Sequence, residues 1–406
     1  MNITPKSGKK TQQSGGFHMK YNFDEVRDRR NTGKWGYCSQ MGAIGMGVAD
    51  MDFRLVPEVA DAIKQCVDEG EFGYAGMQGS DYKAVQDWLA YRGYSVPREY
   101  IVPTPGVLYS ARAAMYMLTQ PGDKVIVQTP LHTPSIATAA MQGRIPVENR
   151  LKYVDGKYEL DFENLEECFK QGAKVLMMCA PNNPTGRVWT MSELKTIAAL
   201  VIKYNAYIVC DEIHRDIIWA GYKHISPTEL PEIADRTVAV FSTSKTFNMG
   251  GFHIGSAIIP NPELRERFKK QFYTWGHTCE RPSTVCQAAQ KAAYTHGREW
   301  YEEMMTYVDK NFDIALDALS DLPIHATHPE GTFLLWTDVS EMGLYTTDLR
   351  RVMLEEWKVF CDLGILYDTS EYQGKNVLEH HIRINLATTH ANVEEAFDRI
   401  RKYFKK

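Results

Sequence analysis

Paired cysteines are missing from this chain. Its eight cysteines, Cys38, Cys66, Cys168, Cys179, Cys210, Cys279, Cys286 and Cys361, stand apart with no Cys-x-x-Cys spacing. That scatter argues against zinc and disulfides and for free thiols in a reducing compartment. The twelve histidines include no His-Glu-x-x-His pair, so a metal centre is not expected. No apolar run approaches the length of a membrane span. The formal net charge is −5, without the basic excess that nucleic acid binding needs or a long block of one sign. The first 18 residues are polar and lack the apolar core of a secretory signal. They read as a disordered leader or an added remnant, with structure starting near Met19. A soluble, cytoplasmic protein that engages neither nucleic acid nor membrane is the expectation.

What is present fits a globular chain: 44% apolar and 24% charged residues over 406 positions, enough for two or three domains. From residue 100 onward, short apolar runs recur: Tyr100-Ile101-Val102, Lys124 to Val127, Lys174 to Cys179, Tyr207 to Cys210, Val238 to Phe241 and Ser256 to Ile259. Amphipathic helical patterns alternate with them, one opened by Thr190 and Glu193 as a capping box. Earlier, Pro57 starts a helix and Asp81 is read as the cap of a second. This alternation predicts an α/β protein with a mostly parallel central sheet covered by helices on both faces. Past Pro282 a long helix to about Leu319 is expected. The strands Thr332 to Trp336 and His381 to Leu386 then belong to a smaller α+β domain. The expected division is leader 1–18, N-terminal segment 19–55 packing with the small domain, large domain 56–285 and small domain 286–406.

In such sheets, ligands bind beyond the carboxyl ends of the strands. Gly106, Asn183, Asp211 and Lys245 all fall just after a strand. Lys245 lies between hydroxyl residues in Ser242-Thr243-Ser244-Lys245-Thr246. A lysine partly removed from water loses its proton more readily, and the neutral amine can attack a carbonyl carbon to form a Schiff base. A phosphate-bearing pyridine aldehyde would need what stands nearby. Gly106-Val107-Leu108 opens a helix whose amides suit a phosphate, although it also reads as a plain strand-to-helix turn. Asp211 suits a protonated ring nitrogen, or caps a helix. Asn183 suits a phenolic oxygen, or shapes a Pro-rich turn. His132 could cover one ring face. Arg383, inside an apolar strand, suits a substrate carboxylate, or a structural ion pair.

Taken in order, Asn183-Pro184-Thr185-Gly186, Asp211-Glu212-Ile213-His214, Ser242-x-Ser244-Lys245 and Arg383-Ile384-Asn385 resemble the class I/II pyridoxal-phosphate aminotransferase family, from about Tyr21 to the C-terminus. Phe23-Asp24 with Asp28-Arg29-Arg30, Val48 to Phe53, Phe72-Gly73-Tyr74 and Pro329 to Thr332 resemble its cystathionine β-lyase (carbon–sulfur lyase) branch. The resemblance implies the fold type I architecture and pyridoxal 5'-phosphate held covalently by Lys245, which then serves as general base. Asp211 would pair with the ring nitrogen, Asn183 would bond the phenolic oxygen, and His214 would be a cofactor-binding residue at the position where transaminases often carry a tyrosine. Ser242, Ser244 and the amides of Val107 and Leu108 would hold the phosphate. Tyr74 would reach the phosphate of a neighbouring subunit in a homodimer, and Arg383 would grip the carboxylate of an amino-acid substrate.

Four places depart from the family pattern. His132 stands where the branch usually has a stacked tyrosine, and His253 where many members have a phosphate-binding arginine. The turn Gly374 to His381 carries Glu379-His380-His381, and Trp35-Gly36-Tyr37 replaces a tryptophan–acid pair. All bear on the substrate rather than on the cofactor. The resemblance implies a β-lyase that cleaves cystathionine or another cysteine S-conjugate to a thiol, pyruvate and ammonia. An amino-acid aminotransferase is the alternative, and a regulatory protein that keeps the cofactor for fold stability is a third.

Overall fold

Seven strands build the central sheet of the computed structural model, which describes residues 19–70, 72–275, 282–369 and 378–405. The expected leader, and positions 374–377 of the turn before Arg383, lie outside the described residues. In chain order the strands are β1 (Ile101–Thr104), β2 (Lys124–Thr129), β3 (Ile145–Arg150), β4 (Val175–Cys179), β5 (Tyr207–Asp211), β6 (Thr237–Phe241) and β7 (Gly255–Ile258). Across the sheet they run β1-β7-β6-β5-β4-β2-β3. The interior strands β4, β5 and β6 are buried along nearly their whole length, which explains their unbroken Val, Ile, Leu and Met content.

All neighbours pair in parallel except β7, which runs antiparallel to both β1 and β6. The Ser256 to Ile259 run is therefore a reversed strand in an otherwise parallel sheet. Its apolar composition cannot reveal direction, because both faces are buried either way. Strand β3 was not anticipated at all. It is the sheet edge, and Ile145-Pro146-Val147-Glu148-Asn149-Arg150 has neither an unbroken apolar run nor a covered outer flank.

Helices α1 (Pro57–Glu69) and α2 (Gly79–Tyr91) precede the sheet. Pro57 occupies the first turn of α1, and Gly70 ends it with a left-handed backbone, φ 69°. Asp81 does not cap α2 as expected. Gln78 is the cap, and Asp81 lies three residues inside, its Oδ2 accepting from Gln78 N at 2.6 Å. Helix α3 (Val107–Leu118) follows β1, and α4 (Thr133–Ala140) and α5 (Phe162–Lys170) follow β2 and β3. Helix α6 (Met191–Lys203) carries the expected box: Glu193 N donates to Thr190 Oγ1 at 3.2 Å, and Thr190 N donates to Glu193 Oε2 at 2.7 Å.

After α7 (Pro262–Thr274), the single long helix expected beyond Pro282 is two, α8 (Thr284–His296) and α9 (Arg298–Leu319). They meet at Gly297, where a Cβ would lie 2.4 Å from both the Ala293 carbonyl and the Phe247 ring. The break thus lets Phe247, directly after the Lys245 loop, seat against the helix junction.

The second sheet has the order β8-β9-β11-β10, from β8 (His325–Ala326), β9 (Leu334–Asp338), β10 (Asp362–Leu363) and β11 (His381–Asn385), all antiparallel. Between β9 and β10 lies the short helix α10 (Thr346–Arg351), which finishes as a π-helical turn, Val352–Trp357. Helix α11 (His390–Tyr403) packs against α9.

The N-terminal segment joins this part of the chain, since Ile44–Gly45 pairs in parallel with Val359–Phe360. Asp52 anchors the segment. Its carboxylate accepts from Lys34 Nζ at 3.0 Å and Trp35 Nε1 at 2.8 Å, and it also pairs with Arg29. Lys34 is wholly buried there, and burial holds its amine below the usual lysine range. Such a pair is costly to break, because removing either member strands a buried charge. It fixes the course of residues 48–53 beside the loop that carries Lys245.

Candidate active site

Four loops at the carboxyl ends of β1, β4, β5 and β6 meet the N-terminal segment and β11 around a cavity of about 400 Å³. Sheet topology alone brings them together, because β6, β5 and β4 are adjacent and β1 lies one strand beyond β6.

Lys245 projects into the cavity with its side chain largely covered. Its Nζ donates to the Ala49 carbonyl at 2.7 Å and lies 3.8 Å from Asp50 Oδ1. Burial lowers its affinity for a proton, and the Arg383 charge adds to this against the opposing pull of Asp50 and Asp211. The result is an amine closer to neutrality than a surface lysine, as a nucleophile or base requires.

Asp211, the last residue of β5, is buried, and among the described residues its carboxylate takes a single hydrogen bond, from Ile213 N at 3.0 Å. Removal from water pushes its carboxyl up to about 6, and the neighbouring Glu212 adds to the rise. His214 is buried too, and neither ring nitrogen has a partner among the described residues. Burial, with the charges of Lys245 and Arg383, pushes its imidazole well below the usual range. A lone buried carboxylate and an unpartnered imidazole, both facing one cavity, require an outside donor and acceptor.

Asn183 supplies a complement to them. Its Oδ1 accepts from Arg383 Nη1 at 2.9 Å, which leaves its amide NH₂ free to donate into the cavity. His132 lines the cavity with no hydrogen bond to its imidazole among the described residues, and burial beside Arg383 and Lys245 drives that ring down to about 3. It therefore presents a neutral planar face.

At the opposite end, Gly106 turns the chain into α3 with φ 118°, its backbone against His253. Only glycine accepts that φ readily, and the turn aims the unbonded first amides of α3, at Val107 and Leu108, at the cavity. Ser244 lines this end, whereas Ser242 does not. The Ser242 hydroxyl donates to the Ile254 carbonyl at 2.5 Å and accepts from Ser244 N at 3.0 Å, so it shapes the loop from behind. Tyr74 is 98% exposed and lies outside this chain's own cavity.

Amides for a phosphate, a buried carboxylate for a ring nitrogen, an amide donor for a phenolic oxygen and an amine for an aldehyde thus line one space. The residues present fit pyridoxal 5'-phosphate. Ala49, Asp50, Asp362 and Tyr367 were not marked by the sequence, whereas His253, one of the departures from the family pattern, does line the cavity. Ala49 and Asp50 belong to the conspicuous Val48 to Phe53 string, but nothing in that string says which loop it faces.

The raised carboxyl of Asp211 has a cost in the cofactor-free protein. A carboxyl at about 6 in the fold, against an ordinary value of 3.8, favours the protonated folded state. Stability is therefore lost as pH rises from about 4 through about 6, to the extent of about 3 kcal/mol. Asp211→Asn is expected to make the cofactor-free protein about 2–3 kcal/mol more stable than wild type at pH 8. The two should converge below pH 4, as read by urea denaturation. Equal stabilities at pH 8 would show that the carboxylate is already well solvated.

The aminotransferase class I and II family profile matches residues 42–400. Cystathionine beta-lyase PatB of Bacillus subtilis is 33% identical over 391 residues, 94% of this chain and 99% of that one. The crystal structure of cystalysin from Treponema denticola, which contains a pyridoxal 5'-phosphate cofactor, superposes with a TM-score of 0.88 at 30% identity, over 95% of this chain and 99% of that one. The PLP-bound C-S lyase from Staphylococcus hominis gives 0.85 at 28% identity, over 97% and 100%.

Proposed function

From the premise that this chain belongs to the class I and II aminotransferase family, we propose that it is a pyridoxal-phosphate-dependent carbon–sulfur β-lyase. It cleaves cystathionine or another cysteine S-conjugate to a thiol, pyruvate and ammonia. The observation that carries the reading is the meeting of Lys245, Asp211, Asn183 and Arg383 around one cavity, in a chain similar from end to end to a cystathionine beta-lyase.

Bound pyridoxal phosphate supplies the electron sink that stabilises negative charge at the substrate Cα. The chain's own residues set up that chemistry. Lys245 would hold the cofactor's aldehyde carbon and, once displaced by the substrate amine, would take the Cα proton. Asp211 would pair with the ring nitrogen. Asn183 would donate to the phenolic oxygen, with His214 lining the same cavity, and the Val107 and Leu108 amides with Ser244 would hold the phosphate. Arg383 would receive the substrate carboxylate, and His132 would offer a neutral ring face. Loss of the Cα proton with departure of the sulfur as thiolate gives, after uptake of one water, a thiol, pyruvate and ammonia.

Exposed Tyr74 supports a homodimer in which it completes the partner's phosphate site. No helix among the described residues is long and apolar enough to cross a membrane.

Incubation with L-cystathionine alone tests the activity. Pyruvate, ammonia and thiol in equal amounts without added keto acid are expected. Turnover that requires a keto acid and forms a new amino acid would assign the chain to the transaminases instead.

A further inference from the structure

Arg383 is already engaged by an anion of its own chain. Asp362 and Arg383 face each other directly across β10 and β11, and Asp362 Oδ2 pairs with Arg383 Nη2. The same oxygen accepts from Tyr367 Oη at 2.8 Å, while the Tyr367 ring lies under the guanidinium, 5.0 Å from its carbon. Arg383 also donates to the Gly47 carbonyl at 2.9 Å. The second Asp362 oxygen, Oδ1, takes no hydrogen bond among the described residues. It lies where any side chain on Gly47 would reach, at 2.6 Å from a Cβ built there. Asp362 lines the cavity.

A substrate carboxylate that comes to Arg383 therefore meets a like charge beside it. Two carboxylates on one guanidinium repel, so a plain amino acid binds less tightly than an uncompensated arginine would allow. A ligand that brings a second cation removes the penalty. We propose that Asp362 is a specificity residue, which selects cysteine S-conjugates whose sulfur substituent carries an ammonium group over neutral or anionic ones. Cystathionine has such an ammonium on its distal half, beside a carboxylate, so a conjugate carrying the ammonium alone shows the preference most clearly. The inference rests on the β-lyase reading of this cavity for its substrate class, but its physical content is a preference in binding.

An isosteric pair isolates that preference. S-(2-aminoethyl)-L-cysteine and S-propyl-L-cysteine differ by one charged terminus. Dissociation constants on the holoenzyme are read from the change in cofactor absorbance, with turnover recorded separately as pyruvate release. Wild type is expected to bind the aminoethyl compound about tenfold more tightly, the scale of one partly shielded charge pair. In Asp362→Asn the ratio should fall to within about twofold, chiefly because the propyl compound and L-alanine bind more tightly. A wild-type ratio near one overturns the proposal without any variant. A tenfold ratio that survives in Asp362→Asn overturns it as well. Equal weakening of both compounds and of L-alanine in the variant assigns Asp362 to positioning Arg383 and excludes selection. Absence of pyruvate from every conjugate, with the binding ratio intact, removes the β-lyase reading and leaves the selectivity standing.

Discussion

Lys245→Ala is expected to lower pyruvate release from cystathionine by about four orders of magnitude or more, with the protein still folded. Two roles vanish together: the covalent hold on the cofactor and the base that takes the Cα proton. Folding should survive because Lys245 makes few structural contacts, its amine touching the Ala49 carbonyl and lying 3.8 Å from Asp50. The phosphate amides of α3 and the Asp211 carboxylate remain, so the variant should still take up cofactor reversibly. The measurement is single-turnover kinetics on cofactor-loaded protein, with circular dichroism as the folding control. Activity within tenfold of wild type would mean that another group takes the proton.

Asp211→Ala is the second large effect. Without the carboxylate the ring nitrogen loses its partner, because Asp362, the other carboxylate lining the cavity, is engaged by Arg383 and Tyr367. His132 and His214 are both kept neutral by burial, and Asn183 is turned toward Arg383 through its oxygen. A drop in kcat of about 10²–10³-fold is expected, the usual scale for loss of one preorganised electrostatic partner. Solvent exchange of the substrate α-hydrogen, followed by proton NMR, reads the affected step directly. Unchanged exchange would place the ring's partner elsewhere. The opposite signs are diagnostic: removing the Asp211 charge should stabilise the cofactor-free fold while it weakens catalysis.

Much of this site could be read from the sequence because parallel sheets place their functional residues at strand ends. Lys245, Asp211, Asn183 and Gly106 each follow an apolar run, and that position alone marked them. Arg383 stood out as a charge inside such a run. The motif resemblance to the family is matched by the family profile and by the similarity to solved enzymes.

What stayed hidden has common physical causes. Asp362 is 21 residues from Arg383, and only the pairing register of a two-residue edge strand brings them together. Nothing in the sequence pairs Lys34 with Asp52, yet they form a buried pair, in which three donors meet on one carboxylate. Strand β3 escaped notice because it is the sheet edge, with only one of its six residues buried. The direction of β7 was not readable either, as a strand buried on both faces has the same composition whichever way it runs. The role of Ser242 was hidden as well, because its hydroxyl is taken up by the Ile254 carbonyl, 12 residues away in the chain.

Borohydride reduction of the purified, cofactor-loaded protein, followed by peptide mass mapping, goes to the centre of the account. A yellow protein that bleaches on reduction and carries one phosphopyridoxyl mass on the peptide containing Lys245 is expected. A protein that stays colourless with pyridoxal 5'-phosphate, or one whose adduct sits on a different lysine, would contradict it.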